Sequence, residues 1–112
     1  MNYPRYYNLE DYLFSDVTNA FHERGYLTPE EFFAIVIWKT NRAMTAVKRK
    51  LAKHDRNLTV AVADLTRAIG QAATDREKLR IFLEDWQFGL PMATAILTVL
   101  YPDRFTVYDV RV

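Results

Sequence analysis

The chain has 112 residues, half of them apolar, 14% aromatic and 26% charged, a length that holds one core and a composition too apolar for a disordered tail, so a single packed domain over 1–112 is expected. Fifteen Lys and Arg against 14 Asp and Glu leave a formal charge of +1, which by itself announces neither a nucleic acid nor a membrane surface. The lack of cysteine removes disulfides, thiolate metal sites and a cysteine nucleophile, and no signal-peptide or membrane-spanning run is visible, so the chain reads as a soluble, cytoplasmic protein.

Asn8, with Glu10 and Asp11 behind it, is a helix N-cap signature, and Leu9, Tyr12, Leu13, Val17, Ala20 and Phe21 recur at spacings of three and four. They predict an amphipathic helix from about Leu9 to Arg24 that stops at Gly25. Thr28, Pro29 and Glu31 form a capping box with proline at the first helical position, so a second helix starts there and is expected to run on to about Lys53. Its first half, Phe32 to Trp38, is apolar around the whole circumference and is expected to be buried on all sides. Its second half is cationic: from Phe32 to His54 there are six basic residues and no acidic one, whereas residues 1 to 31 carry two basic and six acidic. At about 100° per residue, Lys39, Arg42, Arg49 and Lys53 fall on one stripe, with Val36, Thr40, Met44, Val47 and Leu51 broadly opposite.

Beyond the polar break His54-Asp55-Arg56-Asn57, the stripe Leu58, Val62, Leu65, Ile69 and Ala72 predicts a third helix, weakened near its end by Gly70. Thr74 and Glu77 form a second capping box, and Leu79, Phe82, Leu83 and Trp86 give the buried face of a fourth helix ending at Gly89. Pro91 opens a fifth helix, with Ala93, Ile96, Leu97 and Leu100 pointing one way until Tyr101-Pro102 stops it. Helices four and five are thus joined by the short loop Phe88-Gly89-Leu90. The expected fold is all-α, a five-helix orthogonal bundle; the stretch 105–110, FTVYDV, has strand-like composition but no partner strand.

Enzyme signatures are missing: the chain has no GxGxxG, P-loop, HExxH or GxSxG, so motif-driven catalysis has little support. His22 and His54 lie far apart without a carboxylate cluster and read as ordinary helix-end or surface histidines, so neither metal nor cofactor is expected. The stripe Lys39, Arg42, Arg49 and Lys53 is a candidate phosphate-binding face, with Trp38 one turn before Arg42 as apolar footing. The same residues also suit a helix C-terminus, where the macrodipole favours cations, or a plain solvated face. Tyr3, Tyr6, Tyr7 and Tyr12 are either a base-stacking cluster or an aromatic arm packed on its own domain.

The run from Phe88 to Leu97, Phe-Gly-Leu-Pro-Met-Ala-Thr-Ala-Ile-Leu, followed by Phe105-Thr106-Val107-Tyr108-Asp109-Val110-Arg111-Val112, resembles the hairpin and downstream aspartate region of the helix-hairpin-helix DNA glycosylase superfamily. The likeness covers residues 75 to 112, with the hairpin unit at about 75–101. In that superfamily, amides at the start of the second hairpin helix hold a DNA phosphate, and the aspartate sits beside a flipped nucleotide and stabilises positive charge developing on the sugar. The resemblance therefore implies double-stranded DNA as partner, phosphate holding around Gly89, Leu90, Met92 and Ala93, and Asp109 as the catalytic carboxylate. Family hairpins usually carry two glycines separated by one residue, where this chain has Gly89 and, two positions later, Pro91, which lacks an N–H. No lysine lies between 90 and 100, so an activity would be that of a monofunctional glycosylase without a lyase step. Family members continue well past the aspartate, and this chain is expected to be the first part of a longer fold without autonomous catalysis. Read without the resemblance, Gly89 and Pro91 make an ordinary αα-hairpin, and the domain is a protein-interaction or structural unit forming a homo-oligomer through uncovered apolar surface.

Overall fold

The computed structural model of the chain describes residues 9–105. Over these it is all-helical, with six helices and no strand. Helix α1 covers residues 9–24: an opening turn Leu9–Asp11, a π-helical stretch Tyr12–Val17 and a closing stretch Thr18–Arg24. Helix α2 is Pro29–Lys39, α3 is Met44–Ala52 and α4 is Leu58–Gln71. Helix α5 covers residues 75–85 as Asp75–Arg80 and a π-helical stretch Ile81–Asp85, and α6 is Leu90–Leu100.

Six helices replace the expected five because the segment from Pro29 to Lys53 is not one rod. Thr40 leaves α2 in an extended conformation; its hydroxyl accepts from the Arg42 amide at 3.4 Å and its carbonyl from the Ala43 amide at 3.3 Å. A hydroxyl that offers the backbone a local alternative favours a break over another helical turn, and the chain restarts through the 3₁₀ turn Asn41–Ala43 into α3. The apolar start of α2 is also not buried all round: Phe32, Ile35 and Val36 face the core, Phe33 and Trp38 are half-buried, and Ile37 is 47% exposed.

The helix ends follow their caps. Gly25 takes the left-handed conformation, φ 92°, that ends α1. Thr28 and Glu31 make the full reciprocal capping box, and Asn57 accepts from the Thr59 and Val60 amides at the start of α4. Thr74 accepts from the Glu77 amide at 3.1 Å, while the Glu77 carboxylate turns to Arg80.

Helix α6 is the centre of the domain. Met92 to Leu97, Val99 and Leu100 are all buried, and the helix packs against α1, α2 and α5. A helix this apolar on every side belongs in a core. Its last carbonyls, which have no helical partner, are taken up by α1: the Thr18 hydroxyl donates to the Val99 carbonyl at 2.6 Å and His22 Nε2 lies 2.7 Å from the Leu100 carbonyl. Among the described residues no helix is long and apolar enough to cross a membrane.

Candidate nucleic-acid interface

The corner between α5 and α6 consists of Trp86, Gln87, Phe88 and Gly89. Helix α5 closes with the Trp86 amide donating to the Ile81 carbonyl at 3.1 Å, and the Phe88 amide reaches back to the Phe82 carbonyl at 2.8 Å. The left-handed residue of the turn is Gln87, φ 60°, not a glycine. Gly89 is not the stop of the preceding helix; it is extended, φ −73°, and occupies the N-cap of α6. A side chain at positive φ strains the backbone by about 1–2 kcal/mol, so Gln87→Gly is expected to raise stability by about 1 kcal/mol, read as a thermal midpoint about 4 °C higher by circular dichroism.

The first turn of α6 offers fewer donors than its sequence suggests. Pro91 has no N–H, and the Ala93 amide donates to the Gly89 carbonyl at 2.9 Å. The Leu90 and Met92 amides are the orphan donors of this helix start by position. The Met92 and Ala93 side chains are buried, so those residues face the corner through backbone alone, while Gly89 is exposed.

Helix α3 lies beside this corner. Lys50 Nζ sits 5.6 Å from the centre of the Phe88 ring, and His54, just past the end of α3, stacks on Trp86 with ring centres 3.6 Å apart and planes 14° from parallel. Two segments separated by more than thirty residues of chain thereby form one surface. On α3 and around it Arg42, Lys48, Arg49 and Lys53 are exposed and Lys50 is half-buried. The carboxylates paired with cations serve other residues: Glu31 takes Arg24, Asp75 takes Arg104, and Glu77, Glu84 and Asp85 surround Arg80. Among the described residues no basic side chain from Lys39 to Arg67 makes an ion pair; the carboxylates next to this face in sequence are Asp55, beside His54, and Glu84 and Asp85, just before Trp86.

Of the four stripe residues, Arg49 and Lys53 stay one turn apart at the end of α3. The break at Thr40 removes Lys39, on α2, and Arg42, in the 3₁₀ turn, from a common helical register. Trp38 is occupied, edge-on to Phe14 at 5.6 Å and with its indole N–H donating to Glu10 Oε2 at 3.3 Å. Tyr12 is half-buried against the core. Tyr3, Tyr6, Tyr7 and Asp109, like the strand-like stretch from 106 onward, lie outside the described residues. Large hydrophobic side chains exposed among the described residues are Ile37 and Val60.

Lys50, His54, Gln87 and Phe88 are the additions that the sequence reasoning missed. Their roles come from tertiary contact between α3 and the corner, which no local spacing encodes.

The far end of α6 has the opposite character. There the C-termini of α1, α4 and α6 converge on an open pocket of about 330 Å³ lined by His22, Gly25, Arg67, Gln71 and Tyr101. Three negative helix poles meet at this end, and side-chain nitrogens answer them: His22 Nε2 on the Leu100 carbonyl, and buried Lys78, whose Nζ donates to the Ala72 carbonyl at 2.8 Å and lies 5.0 Å from the Tyr101 ring centre. Burial pushes the Tyr101 hydroxyl up, with Arg104 opposing and Asp75 reinforcing the shift. The positive pole of α6 points to the corner beside α3, which makes that end the anion-attracting one.

Among the described residues no group of three or more His, Asp or Glu is placed to hold a metal ion. Comparison with protein-family models, with curated proteins and with solved structures finds no match.

Proposed function

We propose that this chain is a DNA-binding helical domain whose contact face is the α5–α6 corner together with α3. The observation that carries the reading is the junction of the basic helix with the corner through Lys50 on Phe88 and His54 on Trp86. It puts unpaired cations next to the positive pole of α6. In this reading Arg49, Lys50 and Lys53 neutralise phosphates, Arg42 and Lys39 extend the contact beyond the Thr40 break, and the Leu90 and Met92 amides, at the Gly89 corner, receive one phosphate. The kinship with helix-hairpin-helix DNA glycosylases is proposed on the residues that resemble them, 75 to 112, with Asp109 as the corresponding carboxylate.

Titration of a labelled duplex of about 20 base pairs at increasing salt tests the binding claim. Affinity is expected to fall linearly on a log–log plot, with a slope of about −4 to −5 for about five phosphates engaged. No binding at low salt, or binding indifferent to salt, overturns it.

A further inference from the structure

Building on the DNA reading above, we infer that the exposed imidazole of His54, stacked on Trp86, is a platform for an unpaired nucleobase, so that this face takes single-stranded DNA. The backbone that carries each ring is hydrogen-bonded: the Trp86 amide to the Ile81 carbonyl at 3.1 Å and the His54 amide to the Leu51 carbonyl at 3.0 Å. Trp86 is the buried floor of the stack, 8% exposed. His54 covers it and is itself exposed, so the imidazole face turned away from the indole looks to solvent. Lys53, Lys50 and Arg49 precede this ring by one, four and five residues and make no ion pair among the described residues.

An aromatic face flanked by cations is the arrangement by which a single strand is held, bases on rings and phosphates on Lys and Arg. Bases in a duplex are occupied by their own stack, so a flat ring at the surface contacts a base face only where the base is unpaired. A histidine covering a tryptophan for packing alone gives the same stability contribution but no preference for a strand that carries bases.

The test compares two single strands of about twelve nucleotides, oligothymidylate and an abasic strand with the same number of phosphates, by fluorescence anisotropy at low salt. The wild-type chain is expected to bind oligothymidylate about fivefold or more tighter than the abasic strand. His54→Ala is expected to bring the two to parity, and His54→Phe, which keeps a flat ring, to retain the preference; circular dichroism verifies that both variants fold. Parity in the wild-type chain, or a preference that survives His54→Ala, overturns the platform and leaves phosphate binding standing. If neither strand binds while the duplex does, the platform falls and the DNA reading stands; if the duplex does not bind either, the DNA reading falls with it.

Discussion

Replacing Phe88 with alanine is expected to destabilise the domain by about 3 kcal/mol and to weaken DNA binding beyond what the lost stability explains. Phe88 is 4% exposed, with its ring centre 5.5 Å from that of Phe82 and 6.4 Å from that of Phe32. The ring therefore fastens the corner to α5 and α2. Removing a buried phenyl costs about 3–5 kcal/mol, and the lower figure applies because a surface corner can partly collapse into the space. A domain of this size is stable by about 5–15 kcal/mol in total, so the loss is a large fraction, visible in urea as a midpoint lower by about 2 M. The functional loss follows from the other neighbour of the ring. Lys50 loses the apolar surface beneath its ammonium, and the corner loses one of its two ties to α3, keeping the His54 stack on Trp86. Phe88→Leu keeps most of the buried volume and is expected to recover most of the stability but not the placement of Lys50. Equal DNA affinity in the alanine variant, measured where it is fully folded, rules out a shared surface of corner and helix.

Several parts of this architecture are written in short-range chemistry and were legible before any coordinates. Gly25, Thr28, Thr74 and Pro91 act within one turn of themselves, through a positive φ, a side-chain acceptor or a missing N–H, so each marks its boundary in sequence. The break at Thr40 was not legible because the apolar spacing runs across it: Val36, Val47 and Leu51 are buried on either side, and periodicity alone fits an unbroken rod. The π-helical stretch Tyr12–Val17 is hidden for the same reason. It shifts the phase of α1 and lets Thr18 reach Val99 on α6, a contact between residues far apart in the chain. Gly89 misled more directly. Glycine is the usual left-handed residue of a helix end, but here Gln87 takes that conformation and Gly89 serves the next helix as its N-cap. The candidate site shows the same division. Its cations are countable in the sequence, whereas their position beside the corner depends on how α3 docks.

Neutralising that face is expected to have the largest effect on binding. Replacement of Arg42, Arg49, Lys50 and Lys53 together with alanine is expected to lower duplex affinity by about 10³–10⁴ at 0.1 M salt and to flatten the salt slope by about 3.6, since each phosphate contact contributes about 0.9 to that slope. The fold is expected to persist. Arg42, Arg49 and Lys53 are exposed and none of the four makes an ion pair among the described residues, and alanine is the best helix former at the two positions inside α3. Net charge alone changes affinity for DNA, so a control must remove charge elsewhere. Arg67 lines the pocket at the far end of α6 and Arg76 lies in the first turn of α5, away from the corner. Eleven residues of α6 separate the two ends by about 16 Å at 1.5 Å per residue, more than a Debye length at physiological salt. Alanine at Arg67 and Arg76 is therefore expected to cost about threefold or less. If this pair costs, per charge removed, as much as the four around α3, the attraction is diffuse and the corner is not the contact; if the four cost nothing, the phosphates lie elsewhere on the molecule.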